Sequence, residues 1–313
     1  HQWRIREKFK RRVPEAYKVD NARYVEWRER IVSTEALPIG ADIGVGQALQ
    51  YPPQQLPIDP YVLGVWLGDG TASGPGVTSG YDDAVEMQAL LEARGIQVSR
   101  RPRPNCVTLR LGTGVYGKKG TSDVMNALRG LNLLKNKHIP AIYQVGSVHQ
   151  RMMLLRGLMD TDGHCDTRGT ATFVNTNEQL VDGIYELATG LGLRPRKRFY
   201  GTFWQVSMQQ HTDRPLFCLE RKKARAIVAN SYRDSRWLRS SELIDSVPTR
   251  CIQVEGGMYL AGRELIPTHN SSIITFALTI YEIINDPELT FGIFSNTRPI
   301  AKAFLRQIKQ ELE

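Results

Sequence analysis

Two acids, Asp69 and Asp162, close two short segments that nearly repeat each other: Val-Leu-Gly-Val-Trp-Leu-Gly-Asp-Gly at 62–70 and Leu-Arg-Gly-Leu-Met-Asp-Thr-Asp-Gly at 155–163. Carboxylates brought together repel, and a hard divalent cation with oxygen ligands relieves that repulsion. The chemistry on offer is that of a two-acid metal site. Each acid needs an element to deliver it. Leu63, Val65, Trp66 and Leu67 make the first segment a helix apolar nearly all round, which only a buried position satisfies. Gly64 and Gly68 each cost about 1 kcal/mol relative to Ala inside a helix. What they permit is close approach of a second backbone, and Gly157 offers the same from the other segment. The expectation is two helices side by side, with Asp69 and Asp162 together at one end.

The neighbours of the two segments run in parallel, as a true repeat requires. After the first comes a helical pattern, 89–96, stopped by Gly95. The basic Arg100, Arg101 and Arg103 follow, then the alternating strand pattern 106–111. After the second comes 185–193, stopped by Gly192. Arg194, Arg196, Lys197 and Arg198 follow, then the alternating 203–208.

These residues resemble the LAGLIDADG, or dodecapeptide, homing endonucleases in their single-chain, two-motif form. The resemblance spans roughly residues 57–230 and implies a pseudo-symmetric αββαββα repeat pair. It makes Asp69 and Asp162 the catalytic, metal-binding acids, with Mg²⁺ as the cofactor, and the target double-stranded DNA cut on both strands. It implies a nuclease that works as a monomer through its internal repeat. Lys137, in Lys-His-Ile-Pro at 137–140, matches another family block and would neutralise charge near the scissile phosphate. The strands at 106–111 and 203–208, with their flanking arginines, would carry the base and phosphate contacts. A catalytically silent DNA- or RNA-binding relative, maturase-like, is the alternative for this region.

Composition agrees. A net charge of +9 over 313 residues suits a polyanionic partner. The four cysteines, Cys106, Cys165, Cys218 and Cys251, show no Cys-x-x-Cys spacing, so neither a zinc site nor a disulfide framework is indicated. That usage fits a reducing cytoplasm, and no signal peptide or membrane-crossing run is read. The chain starts at His1 and reads as a fragment whose start is missing.

A second chemical passage lies at 251–271, Cys-Ile-Gln-Val-Glu-Gly-Gly-Met-Tyr-Leu-Ala-Gly-Arg-Glu-Leu-Ile-Pro-Thr-His-Asn-Ser. Residues 251–254 and 258–261 read as short strands around the Gly256-Gly257 turn. An asparagine amide can attack its own carbonyl carbon, a neighbouring histidine can assist the leaving amine, and a following serine hydroxyl can accept an acyl group. The passage closely resembles an intein's C-terminal splicing block. The resemblance makes His269 the general acid, Asn270 the cyclising residue and Ser271 the acyl acceptor, with no cofactor. Where many members carry a further His in this block, Gly257 and Met258 stand here. Upstream, the strand-like 1–6 and 25–37 resemble the N-terminal splicing segment, with His1 as its block-B histidine.

Beyond Ser271, a helix, a strand from Leu289 and an amphipathic helix from Ile300 resemble the start of a phage terminase large-subunit ATPase, interrupted at its phosphate loop. The whole therefore reads as α+β: a β-rich intein (Hint) splicing fold interrupted by the repeat pair, plus a short α/β host fragment. The expected divisions are a partial splicing subdomain at 1–56, the endonuclease at 57–235, the C-terminal splicing region at 236–270 and the host segment at 271–313. Host segments in cis would be the splicing partners, and the setting cytoplasmic and possibly phage-encoded. A terminase ATPase fragment is the remaining alternative for the activity of the chain.

Overall fold

The computed structural model describes residues 2–10, 25–33, 36–44, 46–112, 123–227, 235–242 and 258–269, with 245, 254 and 306. The chain opens with strands β1 (Gln2–Lys10), β2 (Val25–Ser33) and β3 (Asp42–Gly44). Next come α1 (Pro60–Asp69), β4 (Gly76–Ser79), α2 (Tyr81–Glu92), β5 (Val98–Pro102), β6 (Val107–Leu111) and α3 (Asp123–Gly130). After the short α4 (Ala141–Gln144) stand α5 (Val148–Asp162), β7 (Gly163–Cys165), β8 (Thr170–Asn175) and α6 (Glu178–Gly190). The hairpin β9 (Arg196–Phe199) and β10 (Trp204–Gln209) leads to α7 (Glu220–Lys223). The strands β11 (Ser235–Trp237), β12 (Met258–Ala261) and β13 (Ile266–His269) follow.

The chain divides into two compact units. One takes in the described residues of 1–44, 234–262 and 266–313, the other those of 45–233 with 263–265. In the first unit, six strands form one sheet in the order β11-β3-β1-β13-β12, with β2 paired along the length of β1. Its small core is Ile5, Val32, Leu37, Ala41 and Ile43, drawn from three strands and the turn before β3.

The second unit holds the larger core and two antiparallel sheets. Their orders are β7-β8-β10-β9 and β4-β6-β5, so β4, β6 and β5 follow one another as β8, β10 and β9 do. Where β7 opens the larger sheet by pairing Gly163 with Phe173, the smaller has a single bridge from Gly70 to Val77. Helix α1 is capped by Asp59, whose carboxylate accepts from the amides of Tyr61 and Val62, and Pro60 starts it with the φ a helix needs. A capping box of Ser147 and Gln150 starts α5.

The second compact unit begins at Val45, ahead of the boundary at 56 read from the sequence. Residues 46–56 pack with the second unit because their backbone groups find partners there. The Leu49 amide donates to Gly190, and Gln150 exchanges two side-chain hydrogen bonds with the Gln54 main chain. The Arg151 guanidinium, 1% exposed, donates to the carbonyls of Gly146, Gly190 and Leu49.

Candidate active site

The site begins where α1 meets α5. A Cβ built on Gly64 would strike the Leu154 carbonyl and lie 2.9 Å from Leu158 N; one on Gly157 would strike the Tyr61 carbonyl and lie 2.8 Å from Val65 N. The two glycines thus make matching contacts, each against the backbone of the opposite helix. One turn on, a Cβ at Gly68 would overlap the Thr161 side chain. Only glycine admits so close a crossing. Asp69 stands as far beyond Gly64 as Asp162 does beyond Gly157, so a contact that pairs the glycines also pairs the acids.

Both acids are partly buried. Burial, and then the charge of Asp162, pushes the Asp69 carboxyl up to about 6. Burial also raises Asp162, opposed by a hydrogen bond from Asn175 and by the charges of Lys137 and Lys222. Among the described residues no group of three or more His, Cys, Asp or Glu is placed to hold a metal ion, so a cation at this pair would find two carboxylates from the protein. That donor set fits a hard cation that takes one or two carboxylates and completes its shell with water and substrate phosphate.

Two lysines close the helix ends. Lys137 Nζ donates to the Gly68 carbonyl at 2.6 Å, over the Trp66 ring at 5.4 Å, and burial lowers its pKa. Lys222, 6% exposed, donates to the carbonyls of Asp160 at 2.6 Å and Gly163 at 2.7 Å, with Met159 and Thr161 at 3.3 Å. Each lysine thus serves the carbonyls that end one motif helix, where a cation is most stabilising.

Around the acids lies a second polar layer. Asn175 Nδ2 donates to Asp162 Oδ2 at 3.0 Å. Asp160, 2% exposed, accepts from the Tyr61 hydroxyl at 2.8 Å and from the amides of Cys218 and Leu219. Burial raises its carboxyl to about 6, and the hydrogen bonds from Leu219, Tyr61 and Cys218 pull the other way. Asp160 therefore ties α1 to α5 and anchors the segment that leads to Lys222.

The sheets present polar outer faces. Along β10, Val206 and Met208 are buried while Gln205, Ser207 and Gln209 are partly exposed. Opposite Gln205 stand Val174 and Arg198; opposite Ser207 stand Thr172 and Arg196. On β6 the buried Val107, Leu109 and Leu111 alternate with Thr108, which lies between Thr78 and Arg101, and Arg110, between Gly76 and Ser99. Such faces offer hydrogen-bond donors and acceptors of the kind that could meet base edges and phosphates.

Of the residues singled out in the sequence, Asp69, Asp162 and Lys137 come together. Lys197 departs from its arginine neighbours. It is turned onto α6, paired with Asp182 at 2.7 Å and Glu178 at 2.9 Å and set 3.9 Å from the Trp204 ring centre, so it belongs to the packing. His269 lies on β13 in the first unit, its backbone between Gln2 of β1 and Met258 of β12. His1, Asn270 and Ser271 lie outside the described residues, as do the proposed strand at 251–254 apart from Val254, and the host segment apart from Arg306. Lys222, Asn175 and Asp160 were not legible. Lys222 sits in Glu-Arg-Lys-Lys, a run that reads as a solvated face. Its one signal was position, after the ββ hairpin of the second segment as Lys137 is after that of the first.

Residues 149–200 match the family model of a LAGLIDADG-like domain. A replicative DNA helicase DnaB of Mycobacterium intracellulare is 32% identical over 240 residues, 72% of this chain and 37% of the helicase. An iron-sulfur cluster assembly SufBD family protein of Mycobacterium leprae is 26% identical over 308 residues, 82% of this chain and 34% of that protein. The chain thus spans about a third of the length of the curated relatives it matches. Among solved structures, mesophilic variants of the homing endonuclease I-DmoI align over 49% of this chain and 83% of theirs, at 15% identity and a TM-score of 0.35. I-DmoI in complex with DNA and Ca aligns over 54% and 95%, at 16% identity and a TM-score of 0.36.

Proposed function

We propose that the second unit, taking its LAGLIDADG-like match as premise, is a metal-dependent endonuclease for double-stranded DNA, built from two copies of one αββαββα repeat. What carries this reading is the glycine-to-glycine packing of α1 on α5, which sets Asp69 against Asp162. The common strand order of the two sheets supports the repeat. Asp69 and Asp162 would hold the cation, with Mg²⁺ the ion whose preference for few carboxylates and substrate phosphate suits the donor set. When bound, such a cation supplies Lewis-acid chemistry at the phosphodiester. Lys137 stands beside both acids, whose charges favour its ammonium form against burial, and would offset the negative charge of the phosphate. Arg101, Arg196 and Arg198 hold the backbone while Thr, Ser and Gln side chains face the bases. The test is cleavage of DNA carrying the uninterrupted host gene, with Mg²⁺ present. Asp69→Asn and Asp162→Asn should each lower double-strand cutting by at least about a hundredfold, as loss of an electrostatic catalytic group does. Cutting by the double variant at the native rate would refute the reading; native binding without any cutting by the unaltered chain would favour a silent relative.

The first unit we read as intein splicing strands, with His269, Asn270 and Ser271 as the C-terminal junction and His1 in the N-terminal block. Two observations support this. One relative is named as a helicase and the other as an iron-sulfur cluster assembly protein, and each resembles this chain over about a third of its own length, as hosts of an inserted module would. And His269 ends β13, where its backbone pairs with Gln2 at the start of β1, an arrangement that suits a splicing region whose two ends meet. Residues 271–313 we read as the start of an interrupted host, with a terminase-like ATPase pattern in sequence; the setting we propose is cytoplasmic.

A further inference from the structure

The turn Asn175-Thr176-Asn177 joins β8 to α6, and both asparagines reach into the site. Asn175 has its amide oriented: Oδ1 accepts from the Asn177 backbone at 2.9 Å, which turns Nδ2 toward Asp162 Oδ2 at 3.0 Å. Asn177 caps α6 by accepting from Leu180 N at 3.3 Å, and its Nδ2 donates to the Lys137 carbonyl at 2.7 Å. Lys137 in turn reaches the Gly68 carbonyl. One turn therefore fixes the direction of an acid from α5 and the main chain of the lysine beside α1.

Among the described residues the other sheet has no counterpart. Gly70 pairs with Val77 as Gly163 pairs with Phe173, which sets Ser79 in the place of Asn175. The Ser79 hydroxyl donates to the Gly80 carbonyl at 3.2 Å, and so gives Asp69 nothing from that position. A carboxylate held by an outer hydrogen bond presents its remaining lone pairs in a fixed direction; one without it must be ordered by the ligand.

We propose that Asn175 is a positioning residue for Asp162, that Asn177 positions Lys137 from the same turn, and that the two acids of this site are therefore held unequally. This rests on the reading of Asp69 and Asp162 as a metal pair.

The test is Mn²⁺ titration of the full chain, with free Mn²⁺ counted by electron paramagnetic resonance. Asn175→Ala should weaken binding about 10-fold, the size of an outer-shell loss, while Ser79→Ala leaves it unchanged and thermal melting of both stays near that of the unaltered protein. Native affinity in Asn175→Ala, alongside weakened binding in Asp162→Asn, overturns the inference alone. Native Mn²⁺ affinity in both Asp69→Asn and Asp162→Asn, or no binding by the unaltered chain, overturns the metal reading beneath it. Should Asn175→Ala not fold, the side-chain amide resonances of Asn175 decide. They should move in Asp162→Asn and stay in Asp69→Asn; movement in neither, or equally in both, overturns the proposal.

Discussion

A carboxyl pushed up to about 6, as Asp69 is by burial and by Asp162, has a direct consequence for stability. Its folded value lies above the ordinary 3.8, so the folded chain binds the proton more tightly than the unfolded one. Without metal, the contribution of Asp69 to stability is greatest at low pH. It is lost as pH rises through the window from 3.8 to about 6. The metal-free protein should therefore show a falling melting temperature across that window, and Asp69→Asn should flatten the fall. A cation that binds only the folded, ionised pair acts in the opposite sense: Mg²⁺ should raise the melting temperature at pH 7 and lose its effect near pH 5. Calorimetric melts over pH, with and without Mg²⁺, check both signs; a melting temperature that rises with pH in unaltered protein and variant alike would contradict the assignment.

At the scale of elements, everything depends on the separation of α1 and α5. The atoms that meet a Cβ at Gly64 are main-chain atoms of Leu154, Gly157 and Leu158, which cannot rotate away as a side-chain end can. Gly64→Ala should therefore push the helices apart. Overpacking of this kind costs about 1–3 kcal/mol, against the ~1 kcal/mol that Ala gains in helix propensity. The expected net is a lower melting temperature together with weaker metal binding, since the acids ride on the same two helices. Gly130, at the end of α3, has nothing within 4 Å of an added Cβ, and Gly130→Ala should leave both properties alone. Equal melting of the two variants would mean that the helices approach less closely than described.

For the whole molecule, the chain divides into two compact units. The second unit is one continuous stretch from 45 to 233, with 263–265, while the first is assembled from segments on either side of it. That is the layout, along the sequence, of one unit inserted within another, and it lets the two proposed chemistries be tested apart. Asn270→Ala removes the amide that would attack the main chain, so release of the segment after residue 270 should stop, while DNA cutting by the second unit persists. Mass spectrometry of the purified chain reads the first outcome and a plasmid assay the second; continued release at that bond would exclude asparagine cyclisation.

The sequence by itself determined the pair of acids, the glycine ridges beside them and the alternation of the strands, because these depend on local spacing. Val62 to Leu67 can only be a buried helix, and Thr108 and Arg110 can only face away from Val107, Leu109 and Leu111. The residues that complete the site were decided only in the tertiary structure. Asn175 reaches Asp162 because β7 folds back on β8, Lys222 reaches the end of α5 from more than a sheet away along the chain, and Asp160 finds its partners in Tyr61 of the other helix and in the Cys218 and Leu219 amides. The same holds for Lys197, whose sequence neighbours are exposed arginines and whose fate was settled by Asp182 and Glu178 on α6. Periodicity says which way a side chain points from its own element. It carries no record of which carbonyl or carboxylate another element will place in front of it, and at this site those distant partners complete the hydrogen bonds.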